Sequence, residues 1–114
     1  MASKRSETTI SAMIKDYLKM KGYIVWRNNT GVWKTSEGNI VRNGVKGSPD
    51  IIGFTPQGHF IGVEVKRPGK KITYHQQQFA KKVRSTPHGI YIVATSVEDV
   101  QYKLFGFKNE QIPF

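Results

Sequence analysis

Ser48-Pro49-Asp50-Ile51-Ile52-Gly53-Phe54 and Phe60-Ile61-Gly62-Val63-Glu64-Val65-Lys66 decide the fold. Both are short apolar runs that read as paired β-strands. Between them lies Thr55-Pro56-Gln57-Gly58-His59. Pro at the second turn position and Gly two residues later suit a type I turn closed by a left-handed Gly. If Thr55 faces His59, then Phe54 faces Phe60 and Asp50 faces Glu64. Directly opposed residues share a face of the sheet, with Cβ atoms roughly 4.5–5.5 Å apart. Lys66 lies two residues past Glu64 and points the same way. Asp50, Glu64 and Lys66 therefore converge, while Ile61, Val63 and Val65 form an apolar face for the core.

Two carboxylates held this close repel unless a proton or a cation sits between them. Hard oxygen ligands in that arrangement suit Mg²⁺ or Mn²⁺. A solvated hairpin with a cross-strand ion pair would carry the same charges. Pro-Asp at the start of the first strand, together with the register, favours a site.

Composition sets the outer bounds. A chain of 114 residues is read as one domain spanning 1–114, large enough for a real core. Lys and Arg number 18 against 8 acidic residues, a formal charge of +10. That excess calls for a polyanionic partner, nucleic acid before anionic membrane. There are no cysteines, which excludes disulfides, zinc-thiolate centres and thiol nucleophiles. No apolar run reaches membrane-spanning length, and no apolar segment follows the basic N-terminus as a signal peptide requires. The expectation is a soluble, intracellular protein.

Upstream, Ile10, Met13, Ile14, Tyr17 and Leu18 have helical spacing from about Ser6 to Lys21, with Ser6 as N-cap and Gly22 as stop. Glu7 lies on the buried edge of this helix, where a first-turn acid also suits the dipole. Tyr23–Arg27 reads as a strand. Residues 28–47 are polar and Gly-rich and read as a loop, with Ile40-Val41 as a short strand or turn edge. Trp33, Lys34, Arg42 and Lys46 within it suit phosphates and bases; an irregular connection with Trp33 on the core is equally open.

Downstream, Arg67, Lys70 and Lys71 follow Lys66 across a Pro-Gly turn. Thr73-Tyr74-His75-Gln76 matches a capping box, so a second helix starts there. Gln76 either reaches back to the Thr73 N–H or points into the site. Gly89–Ala94 reads as a buried strand, and Ser96 caps a last short helix. His59, His75 and His88 are scattered along the chain and read as ordinary surface or turn residues. The expected fold is α/β, a mixed sheet flanked by helices in the order α-β-β-β-α-β-α.

Glu7, Pro49-Asp50, Glu64-Val65-Lys66 and Gln76, with Trp26-Arg27, Gly31, Gly47-Ser-Pro-Asp and the Ser96-Val97-Glu98 helix, resemble a PD-(D/E)xK nuclease with its restriction-endonuclease-like core. More narrowly, the chain resembles the stand-alone virus-type VRR-NUC domains over nearly its whole length. The resemblance implies a deoxyribonuclease dependent on Mg²⁺ or Mn²⁺. Asp50, Glu64 and the Val65 carbonyl would ligate metal, and Glu7 would complete the acidic set. Lys66 would orient or deprotonate the attacking water, and Gln76 would support the site; Gln77 and Gln78 are adjacent alternatives. Arg27, Lys34, Arg42, Lys46, Arg67, Lys70 and Lys71 are the expected DNA contacts. Small viral relatives are similar to Holliday-junction resolvases, which implies branched DNA, a homodimer and, for a viral protein, the host cytoplasm. The competing reading is a non-catalytic basic nucleic-acid-binding module, although three carboxylates facing DNA would weaken binding unless a metal neutralised them.

Overall fold

The structure, a computed structural model, describes residues 5–106. Most of the basic N-terminal arm and the apolar end Gln111–Phe114, expected to close the core or join a dimer contact, lie outside the described residues.

Helix α1 spans Glu7–Met20, and strand β1 spans Ile24–Arg27. A small hairpin follows, β2 (Gly31–Lys34) and β3 (Ile40–Asn43). Then come β4 (Ile51–Phe54), β5 (Phe60–Val65), α2 (Tyr74–Arg84), β6 (Ile90–Ala94) and α3 (Val97–Phe105). The main sheet has the order β1-β4-β5-β6, antiparallel except for the parallel β5–β6 pair. A parallel pair needs a long crossover, which α2 supplies. Among the described residues no helix is long and apolar enough to cross a membrane.

The expected register holds, with Phe54 opposite Phe60 and Ile51 opposite Val63. Ile61, Val63 and Val65 are fully buried against Ile14, Tyr17 and Leu18 of α1 and Val97 and Val100 of α3. The other face of the sheet is half covered. Helix α2 lays Ala80, Val83 and Phe79 over Phe60, Tyr91 and Val93, while Ile24, Trp26 and Phe54 at the β1 edge stay exposed. The caps fall where the side chains foretell: Ser6, Thr73 and Ser96 each accept a backbone N–H in the first turn.

Residues 28–47 depart from expectation. Instead of a loop they build the β2–β3 hairpin, a separate two-stranded sheet. Its turn, Thr35-Ser-Glu-Gly-Asn39, repeats the chemistry of Thr55–His59. In both, the Thr N–H donates to the last residue's carbonyl at 2.8 Å. In both, the Thr hydroxyl accepts that residue's N–H at 3.1 Å, and a left-handed Gly precedes it (φ +86° and +84°). The Thr-x-x-Gly-x pattern was visible; the usual burial signal was not, because all of β2 and most of β3 are exposed. Trp33 is 51% exposed, so it is not a core anchor.

Two glycines fix the approach to β4. A Cβ on Gly62 would lie 2.7 Å from the Pro49 ring, and a Cβ on Gly47 would lie 2.3 Å from the His75 carbonyl in α2. Pro49 thus lies over β5, and the segment before it lies against the start of α2. Gly62→Ala should destabilise the fold by about 1–3 kcal/mol, the usual range for overpacking. Chemical denaturation checks this; an unchanged midpoint would show that Pro49 is free to move aside.

Candidate active site at the end of the central hairpin

The ladder between β4 and β5 is interrupted where the carboxylates begin. Thr55 and His59 exchange a backbone bond, and alternation makes Gly53–Ile61, Ile51–Val63 and then Pro49–Val65 the bonded pairs. Pro49 has no N–H to give, and its carbonyl accepts the Asn28 side-chain amide at 2.9 Å. The Val65 N–H therefore donates to Asp50 Oδ2 at 2.8 Å. Asp50 stands one residue before β4, and its carboxylate takes the place of the missing ladder acceptor. In extended backbone the N–H and C=O of one residue point to the same side, so the Val65 carbonyl also faces Asp50.

Asn28 holds this end of β4 in place. Its side-chain amide also donates to Ser48 Oγ at 2.7 Å, and its backbone N–H donates to the Asp50 carbonyl at 2.7 Å. Sequence reading passed over Asn28. Its signal was an Asn directly after a strand, able to donate and accept at once.

Glu64 is 3% exposed. Its Oε1 accepts the Gln76 amide at 2.8 Å and lies 3.8 Å from Lys66 Nζ. Its Oε2 is buried with no hydrogen-bond partner among the described residues. Burial, then the neighbouring Asp50 charge, push its pKa from 4.5 up to about 8, and Lys66 offsets only part of that. Two carboxyls set this way favour a shared proton or a bound cation between them.

Gln76 does both jobs left open by its position. Its Oε1 accepts the Thr73 N–H at 2.8 Å to complete the capping box, and its amide nitrogen donates to Glu64. Gln77 instead donates to the Ile72 carbonyl. Tyr91 joins the site unforeseen. It pairs with Gly62 across the parallel ladder, its hydroxyl is buried without a partner among the described residues, and burial followed by the Glu64 charge raises its pKa above the phenol value. Only the parallel register places it there, and no local pattern in the sequence encodes that register.

The remaining expected residues are dispersed. Glu7 is the first residue of α1 and half-buried. Among the described residues no three His, Cys, Asp or Glu side chains come together as a metal-holding group, so Glu7 is not gathered with Asp50 and Glu64. Lys34, Arg42 and Lys46 lie exposed on or beside the hairpin, and Arg42 and Lys46 line a small cavity of about 160 Å³ at its base. Arg27 pairs with Ile51, which puts it on the face opposite Glu64. Arg67, Lys70 and Lys71 are exposed just beyond β5. His59 and His88, far apart in sequence, stack with ring centroids 4.5 Å apart, at the end of the hairpin away from Glu64.

The same architecture recurs in a solved structure described as a VRR_NUC domain. It matches with a TM-score of 0.61 at 20% identity, covering 87% of this chain and 96% of that one. Among curated proteins none matches significantly. The VRR-NUC domain family model matches residues 6–98, a span that contains Glu7, Asp50, Glu64, Val65, Lys66 and Gln76. This chain thus belongs to the VRR-NUC family, nuclease domains with the PD-(D/E)xK fold.

Proposed function

We propose that this nuclease domain is a metal-dependent DNA endonuclease, selective for branched DNA in the manner of a Holliday-junction resolvase and working inside the cell (in the host cytoplasm if the protein is viral). The observation that carries the reading is the Asp50–Glu64 pair, with one Glu64 oxygen buried and unpartnered. That donor set fits a hard divalent cation such as Mg²⁺ or Mn²⁺. Asp50, Glu64 and the Val65 carbonyl would hold it; Glu7 enters the set by family resemblance alone. When bound, such an ion would supply Lewis acidity at the phosphate and lower the pKa of water.

The chain's own residues do the rest. The Val65 N–H and Asn28 fix Asp50, and Gln76 fixes Glu64. Lys66 Nζ lies 3.8 Å from Glu64 Oε1, which supports a role in orienting the attacking water and taking up developing negative charge. Water adds to phosphorus, the bond to the 3′ oxygen breaks, and the products carry a 5′-phosphate and a 3′-hydroxyl. The exposed cations of the hairpin and of the Arg67–Lys71 turn hold flanking phosphates.

A homodimer is part of the proposal, because a four-way junction offers two symmetric cuts. Ile24, Trp26 and Phe54 share the uncovered half of the sheet face, 67%, 46% and 43% exposed. Such a patch suits self-association.

Three outcomes test this reading. Asp50→Asn should abolish metal-dependent cleavage of four-way junctions and the Mn²⁺ heat in titration calorimetry, while DNA binding persists. Cleavage surviving in the variant would sink the nuclease assignment. Second, Glu64 has a raised pKa, so between about 4.5 and about 8 the folded state binds more protons than the unfolded state. Metal-free stability must then fall as pH rises through that window. Thermal midpoints in EDTA at pH 5 and 8.5 measure the fall, which Glu64→Gln should remove. Third, Trp26→Glu with Phe54→Glu should yield a monomer by sedimentation with an unchanged circular dichroism spectrum; a persisting dimer would move the interface elsewhere.

A further inference from the structure

A cavity of about 760 Å³ opens between the start of α1, the start of α3 and the turn after β5. That size is in the range of small-molecule pockets, about 300–1,000 Å³. Its walls include Ile10 and Met13 from α1, Pro68 from the turn and Val97 from α3. Arg5, Arg67 and Lys70 also line it. A tight turn through Gly69, with the Lys70 N–H donating to the Arg67 carbonyl at 3.1 Å, holds two of these cations together.

The cavity opens at the same end of the sheet as the candidate active site, on the side that carries α1 and α3. Lys66 faces Glu64, and the next residue, Arg67, lines the cavity. The Lys66 N–H donates to the Ala94 carbonyl, and Thr95 and Ser96, which follow Ala94, are also cavity residues. A DNA strand that passes over this end of the sheet, with a phosphate at Lys66, would bring a nearby nucleotide to the cavity mouth.

We propose that this cavity receives one unstacked base of the DNA strand adjacent to the cut. This rests on the nuclease reading for its location. The apolar walls match the faces of a base, and Arg67 and Lys70 match its phosphates. Glu98 lines the same space. A carboxylate there would repel a simple anion, whereas it accepts a hydrogen bond from the exocyclic amino group of a base. The mixture of apolar wall, cation and carboxylate selects a nucleotide over a free phosphate or a lipid headgroup. It also favours branched or frayed DNA, where a base is already unstacked and extrusion costs least.

The test uses 2-aminopurine, which brightens when it leaves the stack. It is placed in turn at each position within three nucleotides of the branch point of a splayed-arm DNA. Binding is measured with Asp50→Asn, so that no cleavage intervenes, and the wild type is assayed in parallel for cleavage. One position should brighten several-fold on binding. Met13→Trp, which fills the cavity, should return it to the level of free DNA, and Glu98→Ala should weaken the response in case the larger substitution perturbs folding. No brightening at any position, with DNA bound, would overturn the proposal, as would brightening that neither variant alters. Cleavage by wild type without brightening removes this inference alone; brightening without cleavage keeps the cavity as a base site and removes the nuclease reading.

Discussion

The site depends on one unfavourable contact, the half-buried carboxyl of Asp50 set against the buried carboxyl of Glu64. Two neighbouring carboxylates, one of them buried, do not both stay charged without a proton or a cation between them. The fold supplies the conditions that keep them together. The ladder loses an acceptor at Pro49, the Val65 N–H turns to Asp50 in its place, and Glu64 is pinned by Gln76. A hairpin that simply continued pairing would have satisfied its own backbone and had no need of the Asp50 carboxylate. The same interruption that ends β4 therefore begins the site.

Gln76 shows how local and tertiary demands meet in one side chain. A capping box accepts Glu or Gln at this position. With Glu64 only 2.8 Å away, a third carboxylate would add to the repulsion. Gln satisfies the helix with its oxygen and the site with its nitrogen, and the Thr73 N–H fixes which end of the amide faces which partner.

The central hairpin, its register, three caps and the split of apolar and charged faces on β5 were legible from the sequence. All rest on short-range rules: turn chemistry, period-two alternation and capping. What escaped notice depends on contacts distant in sequence. Tyr91 reaches the site only through the parallel pairing with β5. His59 and His88 meet only because the turns at one end of the sheet coincide. Asn28 acts on residues some twenty positions away. The β2–β3 hairpin failed for a different reason. Its turn was readable, but its strands bury almost nothing, so the alternation that usually marks a strand carried no information.

The β2–β3 hairpin is inserted between two neighbouring strands, β1 and β4, and its feet are tied to the fold by Asn28 at one end and Gly47 at the other. Lengthening such an insertion is thermodynamically gentle, about 0.6 kcal/mol for each doubling of a flexible loop. Its tip can therefore be remodelled without disturbing the carboxylate pair. The insertion and the carboxylate pair are thus two separately adjustable parts of one scaffold.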